Sequence, residues 1–575
     1  MVRRLAKVGL PKDFQADSLG TYSFEAFKNL PGIEGHVQTR KDVGKEEITG
    51  WFLGTKAENM HIFCELITEA MNNIAYGRRS FHPEDPGYVT EEIKKTPGHL
   101  AAIQSLKDNF YRLITFLNDY SVPWFSMRYQ GHMNWDVTLP SLVGYFTAML
   151  QNQNNVSIQG SPATTFLEIF AANDICTMIG FDPTSWGHIT CDGTVANIEA
   201  LWSARELRYL PIGIKDALNN EYKDAKDHVT VMFGGEEVKL VDLDEWQLLN
   251  LSNNEILEIP LTIAAYLIEN ANNDEEKIKE KESEIWDCLT KRYSVNALGM
   301  VGFYEKYHLK EQGIKQPAVI VPSSKHYSWP KAASLLGLGH GREEEDSREE
   351  KDILEDGLIN VFVDEKARMD TGELRDKLNK CRENRKPVIL TVAVIGSTEE
   401  SAVDPLKDII TMRNDFREPE DKTPFDFNIH ADAAWGGYLV SIIRKDFDIQ
   451  KPGMWEKGST EDDIFIQDTS KVPLSTYVID QMKELRNCDS VTVDPHKWGY
   501  VPYPAGSLCY RNGKTINLVT FGAPYIGSES GRMMSIGESG VEGSKPGASA
   551  AAVFLSHCVI RPSVKGYGKL MGQSL

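Results

Sequence analysis

The sequence predicts an α/β protein built on a mostly parallel sheet, and two observations carry that prediction. Between residues 317 and 511, five short runs are largely apolar and rich in β-branched residues. They are PAVIVPSS (317–324), PVILTVAVIGST (387–398), FDFNIHADAAWGG (425–437), DSVTVDPHKW (489–498) and GSLCYR (506–511). Strands covered on both faces of a parallel sheet read as such runs, without in–out alternation. Helical stretches lie between several of them, which is the alternation of an α/β domain.

The remaining elements follow in chain order. Residues 1–50 are mixed and weakly periodic and read as an N-terminal extension. From Trp51 to about Leu117 the pattern is helical: ENMHIFCELITEAMNNI sets Ile62, Phe63, Leu66, Ile67 and Met71 at helix spacing. PSLVGYFTAML (140–150) reads as a buried helix. SPATTFLEIFAANDICTMIGF (161–181) reads as an amphipathic helix with a Ser-Pro entry and a Gly exit. Residues 207–316 are more polar, and NNDEEKIKEKESE (272–284) reads as a solvated helix face. REEEDSREEKDILED (342–356) is a second charge run, expected as an exposed loop inserted into the core domain.

Bulk composition narrows the function. Lys+Arg total 62 against Asp+Glu 83, a net charge of −21, which disfavours nucleic acid and anionic membranes as partners. Eight cysteines, at 64, 176, 191, 288, 381, 488, 509 and 558, form no CxxC pair and have no zinc-ligand spacing to histidine. So few in 575 residues indicate a reducing compartment, and the cytoplasm is expected; the basic start leaves a mitochondrial presequence open, against which Asp13 and Asp17 come early. The start, MVRRLAKVGLPKDF, lacks the apolar stretch of a secretory signal, and no apolar run reaches membrane-spanning length.

In parallel sheets ligands sit beyond the carboxyl ends of the strands. The polar residues following the apolar runs are therefore the first candidates: His326, Ser397 and Thr398, Asp432, and Lys497 with His496 beside it. In CDGTVANIEALWSAREL (191–207), Gly193 and Thr194 open a helix, whose free N–H groups and positive dipole end suit a phosphate. Singly, each has an ordinary explanation: a loop lysine, a turn aspartate, a structural histidine, a plain N-cap. Together they match an aldehyde cofactor that carries a phosphate. Lysine forms a Schiff base with pyridoxal phosphate, and an acid keeps the pyridine nitrogen protonated. An aromatic or imidazole ring on the pyridine face would fix its plane. Because free lysine titrates near about 10.4, the amine is expected to be desolvated or placed near other cations.

HADAAWGG (430–437), DPHKWGYVPYPAG (494–506), KHYSW (325–329), SPATTFLE (161–168) and GSTEESAVD (396–404) resemble the signature segments of group II pyridoxal-phosphate-dependent amino-acid decarboxylases. GTKAEN (54–59), SVPWFSMRYQGHMN (121–134), NNVSIQGSPAT (154–164), DGTVANIEALWSAR (192–205), EGSKPGA (542–548) and GYGKLMG (566–572) bring the resemblance closest to the bacterial-type tyrosine decarboxylases. It runs from about Trp51 to the last residue. It implies the fold type I of pyridoxal-phosphate enzymes, with a mostly parallel seven-stranded sheet covered by helices. The implied divisions are an extension (1–50), a helical segment making dimer and substrate contacts (51–160), the cofactor-binding domain (161–545) and a connection (546–575). The small C-terminal domain expected after that connection is not in the sequence.

The resemblance also implies residue roles. Lys497 would carry the cofactor, Asp432 would pair with the pyridine nitrogen, and Ala434 and His326 would cover the two ring faces. Gly193 and Thr194 would take the phosphate, with Ser544 approaching near the phosphate and substrate. Thr398 would lie by the ring substituents, and His132 and Asn134 on the substrate side. Tyr525, on the segment LVTFGAPYIGSESGRMMSIGESG (518–540), would protonate the carbon that loses the carboxylate, with Pro524 at the neighbouring register. If that tyrosine is missing, oxidative deamination to an aldehyde is the expected outcome. A homodimer is implied, because the active site of this fold lies between subunits.

The expected reaction is decarboxylation of an L-amino acid, tyrosine or a related aromatic. Trp124, Phe125, Tyr129 and Trp135 lie near the substrate segment, although they read equally as core. Arg128 keeps glutamate or aspartate open as substrates. Two other readings stand beside this one: an aldehyde synthase, and a truncated non-catalytic homologue acting as a binding or dimer partner.

Overall fold

Seven strands form one sheet, and six of them run in the same direction. In a computed structural model, residues 45–126, 128–129, 131–268, 275–341, 354–447, 459–521 and 536–575 are described. In chain order the principal elements begin with α1 (Met60–Ser80), α2 (Pro97–Tyr120), α3 (Leu139–Met149), α4 (Pro162–Met178), β1 (Trp186–Thr190) and α5 (Gly193–Asn220). There follow a hairpin of β2 (Thr230–Phe233) and β3 (Glu236–Lys239), then β4 (Ala318–Pro322), α6 (Ser328–Leu335) and β5 (Leu358–Val361). The chain continues through β6 (Val388–Val394), β7 (Asn428–Asp432), β8 (Ser490–Thr492), β9 (Gly506–Tyr510) and α7 (Gly547–Val559).

Across the sheet the order is β1-β9-β8-β7-β6-β4-β5. The β8–β7, β7–β6, β6–β4 and β4–β5 pairs are parallel. β9 pairs antiparallel with both β1 and β8, so it alone runs against the rest. This is the mostly parallel seven-stranded sheet expected. All five apolar runs became strands. β1 (WGHIT) and β5 (LINV) had not been singled out, one because Gly187 and His188 interrupt its apolar run, the other because it is only four residues long after a charge run.

Every strand of this sheet is buried along its length. Alternate residues of β4 feed two different cores, as period-two side chains must. Ala318 and Ile320 join one with Ile175, Ile179 and Ile429, whereas Val319 and Val321 join another with Leu201 of α5, Trp329 and Val392. α4 corrects one expectation: it is not amphipathic. Thirteen of its 17 residues are buried, including Glu168 and Asp174, because α7, β1 and β9 pack around it.

Residues 207–314 build a core of their own around the second half of α5. The β2–β3 hairpin belongs to it and turns on Gly234 and Gly235, at φ 59° and 82°. Two successive positive-φ residues are what a tight two-residue hairpin needs, and glycine adopts them without strain. The charge run at 272–284 is described from residue 275 as part of the helix Glu275–Cys288, in which only Ile285 and Trp286 are buried. Of the run at 342–356, residues 342–353 lie outside the described residues.

α1 and α2 are helical as expected, but neither buries a single residue within the chain. Leu66 is 41% exposed, Leu106 65%, Phe110 52% and Leu113 54%. An apolar face this extensive is far from the scattered exposed residues of an ordinary surface.

Candidate active site

The carboxyl ends of β4, β6, β7 and β8 converge with the N-terminus of α5 around a cavity of about 270 Å³. Each of these four strands brings at least one candidate to its rim. His326 follows β4, Ser397 and Thr398 follow β6, Asp432 ends β7, and Lys497 follows β8. Gly193, Thr194, Ala434 and His496 line the same cavity.

The lysine stands on a loop held by backbone bonds from both sides. Val493 N–H donates to Ser507 O at 3.1 Å, His496 N–H to Ala505 O at 3.0 Å, and Val501 N–H to Pro495 O at 3.2 Å. Thr138 N–H reaches Tyr500 O at 2.8 Å, tying the loop to the entry of α3. Lys497 Nζ lies 3.2 Å from Asp494 Oδ2. Of the two surroundings expected, desolvation or nearby cations, the described residues provide the first. Burial acts to lower the ammonium, but the carboxylates of Asp494 and Asp432 outweigh it and hold it above its ordinary value.

Asp432 is 5% exposed and held by two donors on one oxygen. Asn197 Nδ2 reaches Oδ2 at 2.9 Å and Trp329 Nε1 reaches it at 3.0 Å. Among the described residues no donor reaches Oδ1. Asn197 is the hub of a wider network. Its Nδ2 also donates to Ser328 Oγ at 2.9 Å, and its Oδ1 accepts from Thr492 Oγ1 at 2.9 Å. Ser328 N–H donates to His326 Nδ1 at 3.3 Å, so that nitrogen is an acceptor and the imidazole proton belongs on Nε2. Burial holds His326 below its ordinary value, with Asp432 partly opposing, so the ring is neutral at neutral pH. His430, two residues before Asp432, is pushed down to about 4 by burial and bonds Ser490 Oγ at 2.8 Å.

At the N-terminus of α5, Asp192 caps the helix by accepting from Val195 N–H at 2.9 Å. That leaves the N–H groups of Gly193 and Thr194 for another acceptor. A Cβ at Gly193 would stand 2.8 Å from Asp494 Oδ2 and 3.2 Å from Ala434 Cβ, so only glycine leaves the space open. This cradle, the acid with one oxygen available, the buried amine and the neutral imidazole together fit pyridoxal phosphate.

The substrate-side candidates divide. His132 is exposed and hydrogen-bonds Tyr129, while its neighbour Met133 lines the cavity. Both have left-handed backbone, φ 56° and 55°, which turns the chain between the two positions. Asn134 accepts from Tyr503 OH at 3.1 Å, and Tyr503 lines the cavity. Ser544 is exposed, accepts from Asn154 Nδ2 at 3.0 Å and does not line the cavity. Arg128 is exposed and also stands off the cavity. Trp135 joins the aromatic cluster behind the wall: its ring stacks on Trp435 at 5.0 Å and meets Trp498 at 4.2 Å. Tyr525 and Pro524 lie outside the described residues.

Among the residues that had not been singled out are Asn197, Asp494 and Tyr503, which line the cavity, and Trp329, which bonds Asp432 from behind it. Asn197 carried a usable signal, standing one helical turn beyond Gly193 on the same face.

Residues 302–450 match the model of the pyridoxal-dependent decarboxylase conserved domain. Along nearly its whole length the chain is similar to L-tyrosine decarboxylases. It is 30% identical to that of Levilactobacillus brevis over 532 residues, 92% of this chain and 74% of that protein. To that of Enterococcus faecalis it is 30% identical over 534 residues, 92% and 75% respectively. A probable L-tyrosine/L-aspartate decarboxylase of Methanothermobacter thermautotrophicus is 27% identical over 242 residues, 42% of this chain and 48% of that protein. No helix among the described residues is long and apolar enough to cross a membrane.

Proposed function

Because the chain belongs to the pyridoxal-dependent decarboxylase family, a group of pyridoxal-phosphate-dependent carboxy-lyases, we propose that it decarboxylates L-tyrosine or a closely related aromatic amino acid to the amine. The observation that carries this reading is the meeting of Lys497, Asp432 and the open N-terminus of α5 in one cavity. When bound, pyridoxal phosphate supplies an aldehyde that captures the substrate amine and a ring that takes up the electron pair as carbon dioxide leaves.

In this reading the chain's own groups do the rest. Lys497 Nζ is the attachment point, and the Gly193 and Thr194 N–H groups hold the phosphate. Asp432 presents Oδ1 to a protonated ring nitrogen, its other oxygen being occupied by Asn197 and Trp329. His326 and Ala434 would cover the ring faces, and Thr398 would lie at the ring edge. Trp435, backed by Trp135 and Trp498, keeps water from one wall. Tyr525 is our proposed proton donor to the substrate carbon, on sequence grounds.

The substrate preference rests on the rim. Met133, Tyr327, Trp435 and Tyr503 line it, and Lys497 is the one lysine or arginine that does so among the described residues. A site for a second carboxylate calls for a further cation. The similarity to a tyrosine/aspartate decarboxylase motivates testing the acidic alternative directly. We further propose a homodimer, supported by the apolar faces of α1 and α2.

The test is to load the purified chain with pyridoxal phosphate, record the visible absorption band beside Lys497→Ala, and assay tyrosine, phenylalanine, aspartate and glutamate. The reading expects a borohydride-sensitive band that the variant lacks, and tyramine with carbon dioxide from tyrosine. Aldehyde, ammonia and peroxide in place of the amine would assign the chain to aldehyde synthesis. A folded wild type without the band would make it a binding homologue.

A further inference from the structure

We propose that Asp494 is the counter-ion of Lys497, keeping a proton on the lysine nitrogen both in the free amine and in its link to the cofactor aldehyde. The second half of this inference rests on the cofactor reading above.

The geometry is specific. Asp494 is 1% exposed, and its Oδ2 lies 3.2 Å from Lys497 Nζ across a single turn. Its other oxygen, Oδ1, is buried with no hydrogen-bond partner among the described residues. A charged carboxylate left half satisfied inside a protein is costly, and such groups mark functional positions. His496 does not relieve it. The Nδ1 of His496 donates to Ala505 O at 2.6 Å, so the Nε2 that faces Asp494 Oδ2 at 3.5 Å carries a lone pair. Among the described residues, the proton nearest the carboxylate is therefore the one on Lys497. Gly193 belongs to the same arrangement, since a Cβ there would crowd both carboxylate oxygens, at 2.8 and 3.1 Å.

Other titratable groups act on the pair. Asp432 from β7 adds negative charge at Lys497, and Asp192 from the start of α5 acts on the adjoining His496. His326 ahead of α6 and His496 are neutral, Tyr503 shares the cavity with the pair as a neutral phenol, and Tyr438 is a neutral phenol turned to His557. Among the described residues, Asp494 is the carboxylate within ion-pair distance of Nζ, whereas Asp432 acts from farther away. An opposite charge at this range favours the protonated nitrogen by roughly one to three pH units.

Two measurements on wild type and Asp494→Asn test this. First, without cofactor, Lys497 is labelled with an amine-specific acylating reagent from pH 6 to 11 and the modified peptide is quantified by mass spectrometry. The expected midpoint in the variant is at least one pH unit lower, giving about tenfold faster labelling at pH 8. Second, the visible band of the cofactor-loaded chain is titrated with pH, and its midpoint should move down by a similar amount. Unchanged midpoints in both overturn the proposal. A shifted labelling midpoint with no visible band in wild type upholds the counter-ion for the amine and overturns the cofactor reading instead. Should Asp494→Asn not melt as a folded protein, Asp494→Ser serves in both measurements with the same expectations.

Discussion

Trp329 and Asn197 show how the acid proposed to face the cofactor is held by residues with no chemistry of their own. Each gives one N–H to the same oxygen of Asp432, and both are buried with it. One such bond is worth about 0.5–1.5 kcal/mol, a factor of about 2–13. Trp329→Phe should therefore weaken pyridoxal phosphate binding about 2–13-fold in a fluorescence titration while the protein still melts cooperatively. An unchanged affinity would mean that Asn197 alone suffices. Lys497, Asp432, His326 and Gly193 were legible in the sequence because each follows an apolar run or opens a helix, a local signal. Asn197 lies 235 positions from Asp432, and Trp329 lies 103 away. Neither role exists until the sheet and α5 are packed together. Asp494 was readable only as a strand terminator, because what defines it is the side chain it faces.

Among the elements, the turn after β6 shapes the site most directly. Residues 395–404 fold back so that Ile395 pairs with Val403, and Gly396, at φ 95°, brings Ser397 and Thr398 to the cavity. Asp404 fastens the turn, accepting from Val394 N–H at 2.7 Å and Met369 N–H at 2.8 Å. Burial pushes its carboxyl up to about 7, whereas an unfolded aspartate titrates near about 4. A raised acid favours the folded state while protonated. Its contribution is full below the unfolded value and fades as pH climbs through 7. Wild type should therefore exceed Asp404→Asn in melting temperature by more at pH 5 than at pH 8. A gap that does not change with pH would show that Asp404 does not titrate in this range. The amphipathic reading of α4 failed at this same scale. Its polar residues Glu168 and Asp174 pair with the distant Lys545 and Arg561, which no local pattern announces.

For the whole molecule, the sheet was written in its apolar runs, but the fate of α1 and α2 was not. Helix-period apolar residues normally mean burial, and here they face outward. A second copy of the chain is the proposed cover, so Leu106→Glu with Leu113→Glu should convert a dimer to a folded monomer in sedimentation velocity. A wild-type monomer would refute the proposed assembly. The bonds that clamp the Lys497 loop between β8 and β9 have a consequence for dynamics. Although irregular, residues 494–505 are knitted into the sheet and mostly buried; Lys497, Pro502 and Pro504 are half-buried and Tyr503 is exposed. Their amides should exchange with deuterium as slowly as those of β7, on the timescale of global unfolding rather than of loop fraying. Met133, Tyr327 and Tyr503 line the same cavity as Lys497. A ligand reaching the lysine would meet a preformed wall on the side of this loop, because moving the loop would disturb the sheet itself.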